Sequence, residues 1–188
     1  KNMDLKSQIQ NLIKGEILDD TATLETYSKD ASIFVIKPQL VIFPKDTEDI
    51  KVLVKFVNDH PELNLSLTPR AAATCMSGGS LNDSIILDMT KYFNQVLEVG
   101  EDFARTQPGV FYRDFDKATQ QLGLILPCYT SSRELCTVGG MVGNNAAGEK
   151  SLSFGQTERW VKKLNVILSD GNEYIFYPLS EEDLSKKI

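Results

Sequence analysis

Apolar positions along the chain alternate between two periods, and the changes of period divide it into short elements. PQLVIFP, Pro38 to Pro44, is an apolar run boxed by prolines and is predicted as a strand. In the following KDTEDIKVLVKFVNDHP, Ile50, Leu53, Val54 and Val57 recur at helical spacing, the strongest helix signal in the chain. Asp46 or Thr47 can cap that helix, Glu48 and Asp49 suit its positive end, and Pro61 stops it. Leu63, Leu65 and Leu67 then alternate with Asn64, Ser66 and Thr68, which predicts a strand.

The rest of the chain continues the mixture. Residues 4–14 suggest a short helix with Leu5, Ile9, Leu12 and Ile13 on one side. SIILDM reads as a strand, and NQVLEVG and FARTQPG as a strand pair around a Gly100–Asp102 turn. A second amphipathic helix is expected from Phe111, with Phe111, Phe115, Ala118 and Leu122 on one face and Gly123 at its C-cap. VKKLNVILSDGNEYIFY is a hairpin signal, with Leu164, Val166 and Leu168 alternating, Asp170-Gly171 turning and Tyr174 to Tyr177 returning. Strands and helices mixed through short connections predict an α+β fold.

Composition narrows the class. The 188 residues are 41% hydrophobic and 24% charged, as in a soluble globular protein with a core that needs no staples. A net charge of −6 argues against nucleic acid as a partner. No apolar run reaches the roughly 20 residues of a transmembrane helix, and the polar N-terminus is no secretory signal. Cys75, Cys128 and Cys136 are odd in number and lack metal-ligand spacing, so a reduced, cytoplasmic setting without a bound metal is expected. The single histidine, His60, is read as a solvated residue after a helix.

Two stretches stand apart. TPRAAATCMSGGS, Thr68 to Ser80, leaves a strand and then has almost no side chains. Pro127 to Gly155 holds five glycines, the pair Asn144-Asn145, and Ser or Thr at four of its first eleven positions. Each alone reads as a surface connector. Together they suit a ligand that must approach the backbone, since N–H groups and small hydroxyls meet a phosphate or a flat ring without bulk. Neither P-loop nor Rossmann spacing is present.

In order, P-R-A-A-A-T-C-M-S-G-G-S, I-L-D-M, Q-P-G-V, L-P-x-x-x-S-S, T-V-G-G-M-V-G-N-N-A-A-G, S-F-G and L-S-D-G resemble the FAD-binding domain of the FAD-linked oxidases. These are vanillyl-alcohol-oxidase-like flavoproteins with a PCMH-type domain, among them D-lactate dehydrogenases and the glycolate oxidase FAD subunit. The resemblance covers about residues 20–180 and implies an α+β domain with a small N-terminal subdomain, about 20–69, and a larger one, about 70–180. It implies non-covalent FAD, because Thr74 stands where covalently flavinylated members carry histidine. The first loop would wrap the pyrophosphate with the amides of Ala71, Ala72, Ala73, Thr74 and Cys75, and Gly78 and Gly79 would turn the chain away. Ser131, Ser132, Gly139, Gly140, Asn144, Asn145 and Gly148 would hold the flavin and ribitol side, with Pro108 and Gly109 as a tight turn beside them. Arg70 reads equally as a loop brace or a cofactor contact.

The implied function is the FAD-binding portion of an oxidoreductase. Hydride would pass from a small 2-hydroxy acid to flavin N5, and electrons onward to an unspecified acceptor. A UDP-N-acetylenolpyruvylglucosamine reductase-like flavoenzyme and a non-catalytic nucleotide-binding module are the alternatives. Ala71, Ala72 and Ala73 stand where the family usually carries one or more glycines after the arginine, a costly exchange if one needs a positive φ. Family members continue for hundreds of residues into a cap domain, whereas this chain stops at LSEEDLSKKI. It is therefore expected to be an inactive fragment without the cap and without catalytic residues of its own. The setting implied is cytoplasmic, with peripheral membrane attachment left open.

Overall fold

The computed structural model describes residues 4–186, so the ends of the polar N-terminus and of the charged tail lie outside the described residues. The first element, α1 (Leu5–Ile9), ends sooner than the predicted 4–14 helix, and Leu12 is 48% exposed rather than packed on a continued apolar face. There follow β1 (Glu16–Leu18), α2 (Thr21–Tyr27), β2 (Leu40–Phe43) and α3 (Thr47–Asp59). Next come β3 (Leu67–Arg70) and β4 (Ile85–Asp88).

These strands form one sheet in the order β1-β2-β4-β3, in which β4 is parallel to both neighbours and β1 is antiparallel at the edge. All four residues of β2 are buried, which explains its unbroken apolar run: a parallel strand covered on both faces has no polar side. Leu40 and Ile42 pack with Leu53 and Phe56 of α3, while Val41 and Phe43 pack with Leu24 of α2. Helices therefore cover the sheet on both sides, and its core extends to Phe93.

One predicted strand is misplaced. The Leu63–Leu67 alternation is accidental: residues 61–63 form a 3-10 turn and Asn64 is left-handed at φ 48°, so pairing starts only at Leu67 and runs through Pro69 and Arg70. His60 is not simply solvated. Its ring stacks 4.3 Å from that of Phe56, and its Nδ1 lies 2.8 Å from the Phe56 carbonyl.

The remaining chain builds a second core. The hairpin of β5 (Val96–Val99) and β6 (Ala104–Thr106) leads to α4 (Tyr112–Gln120). This helix buries Tyr112, Phe115 and Thr119; of the predicted face Phe115 is buried, Phe111 and Ala118 are half-buried, and Leu122 lies beyond the helix and is 58% exposed. Gly123, at φ 72°, does close it, and the following Leu124 N–H reaches back to the Thr119 carbonyl. Beyond come α5 (Val138–Gly143), α6 (Ser151–Phe154), and the hairpin of β7 (Leu164–Ile167) and β8 (Glu173–Phe176), then α7 (Glu181–Ser185). Val110, Tyr112, Phe115, Cys128, Tyr129, Cys136, Met141 and Ala146 form the second core. Among the described residues no helix is long and apolar enough to cross a membrane, and no acidic, His or Cys cluster could hold a metal.

One buried carboxylate ties the start of the chain to α3. Asp49, 2% exposed, accepts the Lys14 N–H at 2.9 Å and the Lys45 N–H at 2.8 Å. Asp46, the N-cap, accepts the Asp49 N–H at 3.1 Å. Asp49→Ala should cost about 2–3 kcal/mol, because two N–H groups lose a charged acceptor. Asp46→Ala should cost about 1 kcal/mol as a lost cap. Urea midpoints at constant slope measure both.

Candidate active site

The first small-residue loop, residues 71–80, leaves the C-terminal end of β3. Open sheets with parallel strands bind ligands beyond that end. Ala73 takes a left-handed φ of 55°, so the alanine stands at a position that favours glycine. Among the described residues, the N–H groups of Ala72, Ala73, Thr74 and Cys75 meet no protein acceptor. Such a run of free amides is an anion cradle.

The Cys75 thiol also lies among donors in this loop. Its acidity is raised by the Ser77 hydroxyl, 3.0 Å from Sγ, and by the N–H groups of Ser77 and Gly79. No cation takes part. Arg70, the cation that precedes the loop, is 8% exposed and turned inward, donating to the carbonyls of Tyr27 at 3.0 Å and Lys29 at 2.7 Å. Of its two predicted roles, the brace is the one its contacts show.

The second stretch is more helical than its five glycines suggested. Thr137 caps α5 by accepting the Gly140 N–H at 3.1 Å, and Met141, 1% exposed, anchors it in the second core. Tertiary burial overrides weak helix propensity here. Val138 N–H donates to the Val110 carbonyl and Gly139 N–H to the Pro108 carbonyl, both at 2.9 Å. Gly109 N–H in turn reaches the Phe93 carbonyl at 2.7 Å.

The glycines divide by what a side chain would meet. A Cβ on Gly109 would lie 1.9 Å from the Met89 carbonyl oxygen. On Gly139 it would lie 2.5 Å from the Pro108 Cβ, and on Gly148 1.8 Å from the Tyr129 carbonyl oxygen. Gly78, at φ 79°, is closed by the Phe34 ring. Those four are required by the protein's own packing. Gly79 and Gly140 would meet only the Cys75 Sγ at 3.5 Å and the Thr137 Oγ1 at 3.1 Å, and Gly143 nothing. At these three positions a large ligand could approach the backbone.

Other predicted residues are engaged within the protein. The Ser132 hydroxyl lies 2.9 Å from that of Thr130, and its carbonyl accepts from Leu135 and Cys136, while Ser131 is exposed beside it. Asn145, at φ 43°, donates from Nδ2 to Glu158 at 2.8 Å and accepts the Glu158 N–H at 3.0 Å. Asn144 is exposed at the C-cap of α5.

A cleft of about 380 Å³ opens beside Asn145, lined by Val142, Glu158, Val161, Lys162, Phe176 and Tyr177 among others. Its walls mix apolar side chains with the charged Glu158, Lys162 and Lys163. Except for Asn145, the sequence reading missed these residues. They lie between the S-F-G and L-S-D-G motifs, where no glycine or hydroxyl cluster draws notice.

A match to the family described as FAD binding domain runs from residue 38 to 177. The chain belongs to the FAD binding domain family. The donor set fits the cofactor: free amides for phosphates at the first loop, open glycines and a partly apolar cleft at the second. Two relatives are similar at the sequence level. D-2-hydroxyglutarate dehydrogenase of Pseudomonas putida is 30% identical over 92% of this chain and 17% of its own length. Glycolate oxidase subunit GlcD of Bacillus subtilis is 31% identical over 90% of this chain and 36% of its own. The chain thus spans well under half of either relative. The crystal structure of 6-hydroxy-D-nicotine oxidase from Arthrobacter nicotinovorans superposes with a TM-score of 0.73 at 20% identity, covering 88% of this chain and 36% of that one. It shares the vanillyl-alcohol-oxidase-like fold.

The two glycine classes predict opposite behaviour. Gly140→Val should cost less stability than Gly148→Ala yet lose FAD binding, since its Cβ meets only the Thr137 Oγ1, at 3.1 Å, and no backbone. Gly148→Ala should cost about 3 kcal/mol through overpacking against Tyr129, whether or not FAD is added. Thermal melts with and without FAD separate them.

Proposed function

We propose that this chain is the FAD-holding portion of a flavoenzyme that oxidises a small 2-hydroxy acid. The observation that carries the reading is the first loop: consecutive amides without protein acceptors, small side chains, and the neighbouring arginine committed elsewhere. Phosphate charge would be met by the amides of Ala71, Ala72, Ala73, Thr74 and Cys75, and the chain would turn away at Gly78 and Gly79. Gly140, with Ser131, Ser132 and the cleft beside Asn145, would face the flavin and ribitol. Pro108, Gly109, Gly139, Gly148 and Asn145 shape that wall, and Asn144 stands exposed at its edge.

Bound FAD supplies a two-electron acceptor at N5 for hydride from the substrate α-carbon, while the hydroxyl proton leaves to a base. This portion binds and orients; substrate recognition, the base and the electron acceptor belong to the remainder of the longer enzyme. The named relatives favour a 2-hydroxy acid over the reductase-like and non-catalytic alternatives. We place the subdomain division near residue 70 and the enzyme in the cytoplasm, free or bound peripherally to a membrane.

Titration of the chain with FAD should quench flavin fluorescence and raise the melting temperature. A chain that melts cooperatively yet leaves the fluorescence unchanged would overturn the reading. With Thr74 in place of a linking histidine, acid precipitation of the loaded protein should release all flavin to the supernatant. Colour retained in the pellet would show covalent attachment instead.

A further inference from the structure

A left-handed alanine is strained and persists only where its surroundings over-determine it. Those surroundings can be identified at Ala73. Three positions along the first loop are tied to one short segment, Tyr27 to Ala31. At the start, the Arg70 guanidinium forks into the carbonyls of Tyr27 and Lys29, and it lies 4.9 Å over the Tyr27 ring. In the middle, the Ala73 carbonyl accepts the Ala31 N–H at 3.1 Å. At the end, the buried Ser80 hydroxyl donates to Asp30 at 3.0 Å.

The segment is itself fixed from beneath. Tyr27 donates its hydroxyl to Asp88 at 2.7 Å, and Asp88, 5% exposed, is the register partner of Arg70 at the ends of β4 and β3. Burial, with the adjacent Asp88 carboxylate, pushes the Tyr27 phenol well above its usual range, so it stays protonated as the donor. Arg70 and Asp88 thus grip Tyr27 together, one by its backbone and ring, the other by its hydroxyl.

We propose that Tyr27–Ala31 is a template that holds the first loop in its phosphate-receiving shape, with Arg70 as the positioning residue. Arg70 acts through the carbonyls it binds and touches no cofactor. A guanidinium can hold two carbonyls in a fixed fork, which a lysine ammonium on its flexible stem does not reproduce. The consequence for FAD rests on the function proposed above; the structural claim does not.

The test compares wild type, Arg70→Lys, Ala73→Gly and the double variant by amide hydrogen exchange without cofactor, then by FAD titration. In Arg70→Lys the Ala31 amide, which reports its bond to Ala73, should exchange at least about ten-fold faster while β4 amides keep their wild-type rates. FAD affinity should fall by about ten-fold, and by less in the Ala73→Gly background, where glycine adopts the left-handed shape without help. Equal acceleration at Ala31 and β4 would make Arg70 a general fold brace and overturn the proposal. So would no acceleration at Ala31, an equal loss of affinity in both backgrounds, or faster Ala31 exchange with unchanged FAD affinity. If wild type binds no FAD, the cofactor reading fails while hydrogen exchange still decides the template.

Discussion

Both loops of the site depend on the carboxyl end of β4. This strand is held between β2 and β3 by parallel pairing, and all four of its residues are buried. Its last residue, Asp88, secures Tyr27 and stands in register with Arg70, from which the first loop departs. The next carbonyl, that of Met89, leaves no room for a side chain on Gly109. Gly109 closes against Phe93, and the adjoining Pro108 carbonyl receives the Gly139 N–H of the second loop. Two consecutive residues of one strand end thus reach both loops, one by hydrogen bonding and one by close packing. A rigid parallel sheet is what makes such a double anchorage possible, since a buried strand cannot shift without exposing both faces.

The electrostatic design follows from the same arrangement. In the proposed reading, a chain of net charge −6 would receive an anionic cofactor through oriented amides instead of side-chain cations. Amide dipoles fixed by the backbone need no mobile side chain to be ordered when the ligand arrives, so less entropy is lost on binding. They also leave room for close approach, which is why the loop is made of alanine, threonine and glycine. Farther along the same loop, the Ser77 hydroxyl and the N–H groups of Ser77 and Gly79 raise the acidity of Cys75.

Much of the fold was legible because burial on both faces leaves a plain mark in sequence. PQLVIFP and SIILDM are strands for that reason, and the 47–59 helix was readable from its cap and its period. Leu63 and Leu65 misled because apolar alternation does not reveal that Asn64 turns left-handed. The 138–143 helix escaped notice because Met141 is buried in the second core with Val110, Tyr112 and Phe115, a tertiary contact that no local propensity records. The candidate site was legible as two unusual loops, but its internal division of labour was not. Gly140 and Gly148 look alike in sequence, and only the position of the Tyr129 carbonyl separates them.

That division bears on the three alanines of the first loop. The resemblance suggested that alanine there would weaken the loop if a positive φ were required, and Ala73 does require it. Yet Ala71 and Ala72 keep ordinary backbone angles, so the substitution is strained at one position of three. At that one position the carbonyl is bonded to Ala31, and the flanking Arg70 and Ser80 hold the same segment. A glycine would reach the same shape freely but would sample others as well. Alanine narrows the loop's alternatives and leaves the left-handed state to be selected by external bonds. The strain at Ala73 is therefore the local cost of a loop whose geometry is set by neighbouring chain rather than by its own residues.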